Sequence, residues 1–432
     1  MRAITFATTA LLAAGALAAQ QPRRITLEEA LRLGAQNTPT MVRARQDVRV
    51  ADAQQRQATA AFLPGLTTNM STSTSGGSRV NQFGVPTPVA SYYSSSVGLT
   101  ANWDLFTGFR RGAQRRSTRA AGDQSEAALL RQEYETALAT KRAFFNALAA
   151  QELVSVREVG VRRAQEQLNL TSERLRLGAT TRSDSLRSRV EYGNAQLQLI
   201  QARADLRNTQ ATLARSIGAE GLVAPVPDTT LEVRLGPLDT ANLRRQALDA
   251  APAVREAEAG VAAARAQRSV NTSAYMPTVS VTAGNSWASG DPSVGQPFGG
   301  RYASGWSLRL TASYPLFNNL TREYNVITAD ANLVAAEARQ RDARLLLDAN
   351  LTGAFTALEA AAATIDIART SVAAAEEDLR MQRERYRLGA STIVEVLTSQ
   401  VSLNQAQVDL VRARYDYLVA RAQIEAYVGH SL

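Results

Sequence analysis

The chain has 432 residues, 45% hydrophobic and 20% charged, with a formal net charge of +9, enough apolar material for a sizeable core. It holds no cysteine, which excludes disulfides, thiol catalysis, cysteine metal sites and a lipid-modified N-terminal cysteine. Its one histidine, His430, lies at a terminal end and is read as solvated, and the arginines are dispersed among Glu and Gln, so neither histidine chemistry nor nucleic-acid binding is expected.

In chain order, Arg2 precedes an apolar stretch from Ala3 to Ala19, and Ala16-Leu17-Ala18 supplies small residues for signal peptidase. Residues 1–19 are therefore expected to be a signal peptide, cut after Ala18 or Ala19. The run is shorter than the roughly 20 residues a spanning helix needs. Nothing downstream forms a continuous apolar run of that length, so the mature chain is either soluble or a β-barrel component.

The rest reads as one unit used twice. Glu173-Arg-Leu-Arg-Leu-Gly-Ala-Thr-Thr181 matches Glu384-Arg-Tyr-Arg-Leu-Gly-Ala-Ser-Thr392, 211 residues on. The same separation aligns Trp103-Asp-Leu-Phe106 with Tyr314-Pro-Leu-Phe317, and one of 213 aligns Phe62-Leu-Pro64 with Tyr275-Met-Pro277. So long a period indicates a duplicated half-molecule rather than a solenoid. The predicted first repeat spans 20–217, a linker spans 218–239, and the second repeat spans 240–432.

Each repeat opens with short helices. Thr26-Leu-Glu-Glu29 reads as a capping box, Asn242 to Ala250 is its counterpart, and Pro39 and Pro252 mark restarts. Two segments of period-two patterning follow, about 63–75 and 94–106 in the first repeat and about 278–289 and 305–317 in the second. Val97, Leu99, Ala101, Trp103 and Leu105 alternate with Ser96, Gly98, Thr100, Asn102 and Asp104, and Trp306, Leu308, Leu310 and Ala312 alternate with Ser307, Arg309 and Thr311. Alternation alone fits a soluble half-buried sheet as well as tilted membrane strands; the signal peptide and the absence of short hairpin turns favour the membrane. The connectors Gly76 to Tyr92 and Ala288 to Arg301, rich in Gly, Pro and Ser, are expected to be loops. Four strands cannot close a membrane barrel, so several copies must pool them.

Long Pro-free segments then predict helical hairpins, about 108–217 turning at Gly178 and about 318–428 turning at Gly389. The expected packing stripes are Leu186, Val190, Gly193, Leu197 and Ile200 in one hairpin and Leu397, Val401, Val408, Val411, Tyr415, Leu418 and Ala422 in the other, with Asn404 a polar interruption.

The opening Leu27-Glu-Glu-Ala-Leu-Arg-Leu33, Phe62-Leu-Pro64, Leu105-Phe-Thr-Gly-Phe-Arg-Arg111 and both Arg-Leu-Gly turns resemble the TolC-like outer-membrane efflux proteins over essentially the whole mature chain. The resemblance implies a mainly α fold with membrane β: four strands given to a shared trimeric barrel above a periplasmic α-barrel of coiled hairpins. It implies a homotrimer in outer-membrane lipid, without cofactor or metal, docked through the Gly178 and Gly389 tips on a periplasmic adaptor and an inner-membrane RND, ABC or MFS transporter. Asp184 and Glu395, each six residues past a turn glycine, then fall at the tunnel mouth, where carboxylates favour cations. The alternative for both is an ordinary helix-start carboxylate. Asp184 is also placed to hydrogen-bond Tyr386 as a closed-state contact. Thr398 and Ser391 stand where family members carry another acid and a gating arginine, so the lock is expected to differ. A periplasmic adaptor would show one hairpin flanked by lipoyl-like domains, and a hydrolase a nucleophile with base; neither pattern is present. The expected role is a passive, non-enzymatic exit duct.

Overall fold

The computed structural model describes residues 22–227, 239–289 and 301–430. The expected signal peptide, part of the linker and part of the second connector lie outside them. The order β-α-α-β-β-α-α occurs twice: β1 (Arg23–Ile25), α1 (Leu27–Asn37), α2 (Pro39–Ala60), β2 (Gly65–Val80), β3 (Pro86–Phe106), α3 (Arg110–Arg176) and α4 (Arg182–Ser216), then β4 (Val223–Pro225), α5 (Thr240–Ala250), α6 (Pro252–Thr272), β5 (Thr278–Ser289), β6 (Ala303–Ser313), α7 (Thr321–Arg387) and α8 (Ile393–Val428). The duplication written in the sequence is thus a duplication of elements.

The chain divides into two units, 1–43 with 132–251 and 347–432, and 44–131 with 252–346. In the first, β1 pairs in parallel with β4, Ile25 and Val223 are fully buried, and α3 packs antiparallel on α8. That seam is tied by Lys141 to Glu425, Arg414 to Glu152 at 2.9 Å, and the Tyr134 hydroxyl donating to the Gly429 carbonyl. The α8 stripe differs from expectation: Val401 is exposed, while Ile393, Val396, Gln400 and Leu403 are buried beside Val408 and Val411. Apolar and small residues occupy adjacent positions along α8, so spacing alone admitted a stripe rotated by one residue.

In the second unit β2, β3, β5 and β6 form an antiparallel sheet in that order, leaving β2 and β6 as edges. The predicted loop Gly76 to Tyr92 is instead largely strand, since β2 and β3 pair out to Val80 and Pro86. Asn81 makes this possible: its side-chain oxygen accepts from the Phe83 and Val85 amides, and Gly84 at φ +76° closes the turn.

The strands join the helices through two repeat-related latches. Arg111 lies 5.0 Å from the Phe62 ring centroid and donates to the Leu105 carbonyl at 3.1 Å, while Arg322 lies 5.1 Å from the Tyr275 centroid and donates to the Pro315 carbonyl at 3.2 Å. A guanidinium both stacks on the ring face and ends the strand's free carbonyl. Gly108, at φ +61°, lets the chain turn from β3 into α3 where a Cβ would fall 2.5 Å from that of Met276.

α3 and α7 have 67 residues each, which at 1.5 Å per residue makes each about 100 Å long. One 18-residue window of α7 reaches a mean hydropathy of 1.2, apolar enough by composition to cross a membrane. The sequence lacks a continuous apolar run there; alanines raise the mean, and Leu347, Leu351, Ala354, Phe355 and Leu358 are buried at spacings of three and four, as in helix packing.

Candidate functional site

Both hairpins reverse at a glycine because helices end most readily in the left-handed conformation. Gly178 (φ +72°) donates to the Leu175 carbonyl at 3.0 Å and Ala179 to that of Arg174 at 2.8 Å; Gly389 (φ +76°) and Ala390 do the same to Tyr386 and Arg385 at 3.1 and 2.8 Å. No other atom comes within 4 Å of a Cβ built at either glycine. The tips are bare backbone turns.

The next helix starts differently in the two repeats. In α4, Thr181 caps Asp184 and the Asp184 carboxylate accepts back from the Thr181 amide at 3.3 Å, a complete capping box. In α8, Thr392 accepts from the Glu395 amide at 3.4 Å, and the Glu395 carboxylate turns instead to the Ser391 hydroxyl at 2.5 Å. Ser391 also lies 3.1 Å from the Gln382 amide oxygen. Both acids therefore serve their helix starts, and Glu395 remains exposed.

The expected direct bond between Asp184 and Tyr386 is replaced by a chain through Thr180. The Thr180 hydroxyl donates to Asp184 at 2.8 Å and lies 3.4 Å from the Tyr386 hydroxyl. With its one proton committed to the carboxylate, Thr180 accepts from Tyr386. Burial pushes the Asp184 carboxyl up, but the hydrogen bonds from Thr180 and Thr181, with Arg187 nearby, outweigh it and hold the group below its ordinary range.

Tyr386 is itself 6% exposed, packed with Leu379, Ile393, Val396 and Leu403. Arg174 from α3 stacks on its ring and bonds its carbonyl. The sequence reading missed Arg174; its signal, an arginine one turn before a turn glycine, occurs in both repeats and distinguishes neither.

Further along the α3–α8 seam the packing becomes polar. Arg163 donates to Asn404 at 3.3 Å and Gln407 at 3.2 Å, next to Gly160, where a Cβ would sit 3.5 Å from Asn404. One turn away on each helix, Gln167 is 4% exposed and Gln400 fully buried, and the Gln167 amide nitrogen and both Gln400 amide atoms have no hydrogen-bond partner among the described residues. Burial, and then the neighbouring Arg383, lowers the Arg163 guanidinium from its usual value. The ties from Tyr134, Lys141 and Glu152 to α8 all lie on one side of this layer, and the layer itself is weak.

On the sheet, cross-strand pairs share a face. Leu66, Ala101, Ala283 and Leu308 form one row, Trp103, Val281 and Leu310 another, and Leu99 and Trp306 flank a third; Asn102, Thr282 and Arg309 lie on the opposite face. Trp306 is 82% exposed and Leu308 67%, an apolar surface that water would not tolerate over so many neighbours.

An antiparallel sheet with one bare apolar face and two open edges, carried on helices of this length, defines the protomer of an outer-membrane channel. The chain belongs to the outer membrane efflux protein family, whose pattern matches residues 30–219 and 243–430. It is similar to the outer membrane efflux protein BepC of Brucella suis biovar 1 (strain 1330), with 25% identity over 422 residues covering 96% of this chain and 87% of BepC. It is also similar to the protein CyaE of Bordetella pertussis, with 26% identity over 341 residues covering 76% and 68%. The Campylobacter jejuni CmeC outer membrane channel shares the fold, with a TM-score of 0.77 at 18% identity over 93% of this chain and 85% of that one. The chain is accordingly an outer-membrane exit-duct protomer of the efflux and secretion type, with its helices on the periplasmic side.

Proposed function

We propose that three copies close into a conduit that passively carries solutes from a periplasmic adaptor and an inner-membrane transporter of the RND, ABC or MFS type to the exterior, with no catalytic step. The observation that carries this reading is a pair of unfinished surfaces. β2 and β6 run in opposite directions at the two edges, so β6 of one copy meets β2 of the next antiparallel, and identical copies continue the alternation until the ring closes. The expected α4 stripe is bare in the single chain: Leu186 is 52%, Val190 64%, Leu197 60% and Ile200 63% exposed, at the spacing a neighbouring helix would cover.

The Gly178 and Gly389 turns are the adaptor-docking tips in this reading, because a backbone turn without side-chain cover admits close approach of a partner. Asp184 and Glu395, one helical turn beyond them, line the periplasmic mouth and favour cations. The test is the mass of the detergent-purified chain together with its single-channel conductance in a planar bilayer. A trimer with cation-selective current, its selectivity lost in Asp184→Asn with Glu395→Gln, supports the reading. A water-soluble monomer without current overturns it.

A further inference from the structure

The strand register assigns a charge to the barrel interior. Leu308 and Leu310 face the same side as Trp306, Ala283, Val281 and Trp103, which only lipid can accept. Arg309, between the two leucines, must then face the lumen. It pairs across with Thr282, whose hydroxyl donates at 2.9 Å to Asn102, so Arg309 heads a row of neutral polar groups. Asp104, paired with Ser280, occupies the next lumen-facing row toward the α3 end of β3, about 7 Å along the strand. Neither Arg309 nor Asp104 makes an ion pair with another described residue, and both are exposed. Most other lumen-facing positions of these strands carry Ser, Thr, Gly or Asn; the other cation on this face, Arg79, lies 14 residues (79 − 65) along β2 from the row of Gly65, Asn102, Thr282 and Arg309.

We propose that Arg309 is the charge-selecting residue of the barrel lumen, an anion-attracting ring when the copies close, which engages carboxylate or phosphate groups of solutes on their way out. The proposal rests on the closed-ring reading above. A guanidinium with no internal partner keeps its full fork of donors for a passing anion. It also reaches farther from the wall than the short Asp104 carboxylate, so its charge dominates the interior, while Asp104 opposes it from the adjoining row. A serine or threonine lining alone would leave the barrel indifferent to charge.

The natural absence of cysteine makes single-cysteine labelling clean. In reconstituted full-length protein, Arg309→Cys is expected to react with a membrane-impermeant maleimide and Leu310→Cys to resist it; the reverse pattern would overturn the face assignment and with it the proposal. Inorganic pyrophosphate added on the barrel side should block wild-type current. Its half-blocking concentration should rise about tenfold in Arg309→Gln, rise less in Arg309→Lys, which keeps the charge but not the fork, and fall in Asp104→Asn. Equal block of Arg309→Gln and wild type, or no block of wild type, defeats the proposal while leaving the channel reading intact. A wild-type chain that is monomeric and carries no current instead removes the barrel itself.

Discussion

The Arg174 guanidinium stands 4.8 Å from the ring centroid of Tyr386 and donates to that residue's carbonyl at 2.8 Å, joining the last turn of α3 to the last turn of α7. One residue of the first repeat thereby fixes both the aromatic ring and the backbone that closes the second repeat's turn. Because the Tyr386 carbonyl also accepts from Gly389, its orientation is shared between the inter-repeat contact and the turn.

Arg174→Ala should therefore loosen the second tip more than the first. The lost stacking and hydrogen bond together are worth about 1–2 kcal/mol at a partly exposed site. Hydrogen exchange should quicken around 386–392 with little change near 178–184. Equal acceleration at both tips would show that the contact is incidental.

Acid should act on the first tip through Asp184. Its carboxyl is lowered in the folded chain, so the stability it contributes is present above its unfolded value and fades as pH falls through the folded one. Loosening of the 180–186 turn should begin only below the ordinary aspartate range, near about pH 4. Thr180→Val removes the strongest stabilising hydrogen bond, raises the folded value toward the unfolded one and should shrink the acid-dependent loss. Titration of 180–186 backbone protection in the two proteins decides, and an equal loss in both would sink the Thr180 chain.

Gln400→Leu should stabilise the protein. The substitution keeps side-chain volume and removes two buried amide atoms that lack partners, a gain of about 1–3 kcal/mol. Thermal unfolding should move upward. A lower midpoint would mean that Gln400 and Gln167 share a bridging water whose loss outweighs the apolar gain.

Gly108→Ala should fail at the strand-to-helix turn. A methyl there would lie 2.5 Å from the Met276 Cβ and 2.7 Å from the Ser273 carbonyl oxygen, at a positive φ. Recovery of heat-stable oligomer from membranes should drop sharply. Gly178→Ala shares the unfavourable φ but meets open space, and should cost only about 1 kcal/mol. Equal yields of the two variants would contradict the packing argument.

Much of this was legible in the sequence. Proline placement and two copies of one landmark set defined the hairpins, the turn glycines and the alternation of the four strands. What stayed hidden depended on partners distant in the chain. Ser73 to Ser78 carries no apolar alternation, so its pairing with β3 could not be distinguished from loop. Thr180 between Asp184 and Tyr386, and Arg174 on the Tyr386 ring, require a fold to bring them together. The expected α4 stripe is exposed rather than packed in the single chain, because spacing identifies a regular apolar row but not the element that would cover it. Gln400 was passed over because a glutamine in a heptad reads as surface.

The open sheet edges have a genetic consequence. A ring built head to tail needs two sound edges on every member, so a chain with an intact β2 and α4 but a broken β6 can still join and then prevent closure. Such an allele would poison assemblies containing normal copies, and its defect would be dominant. A lesion that stops the chain from folding at all would be recessive.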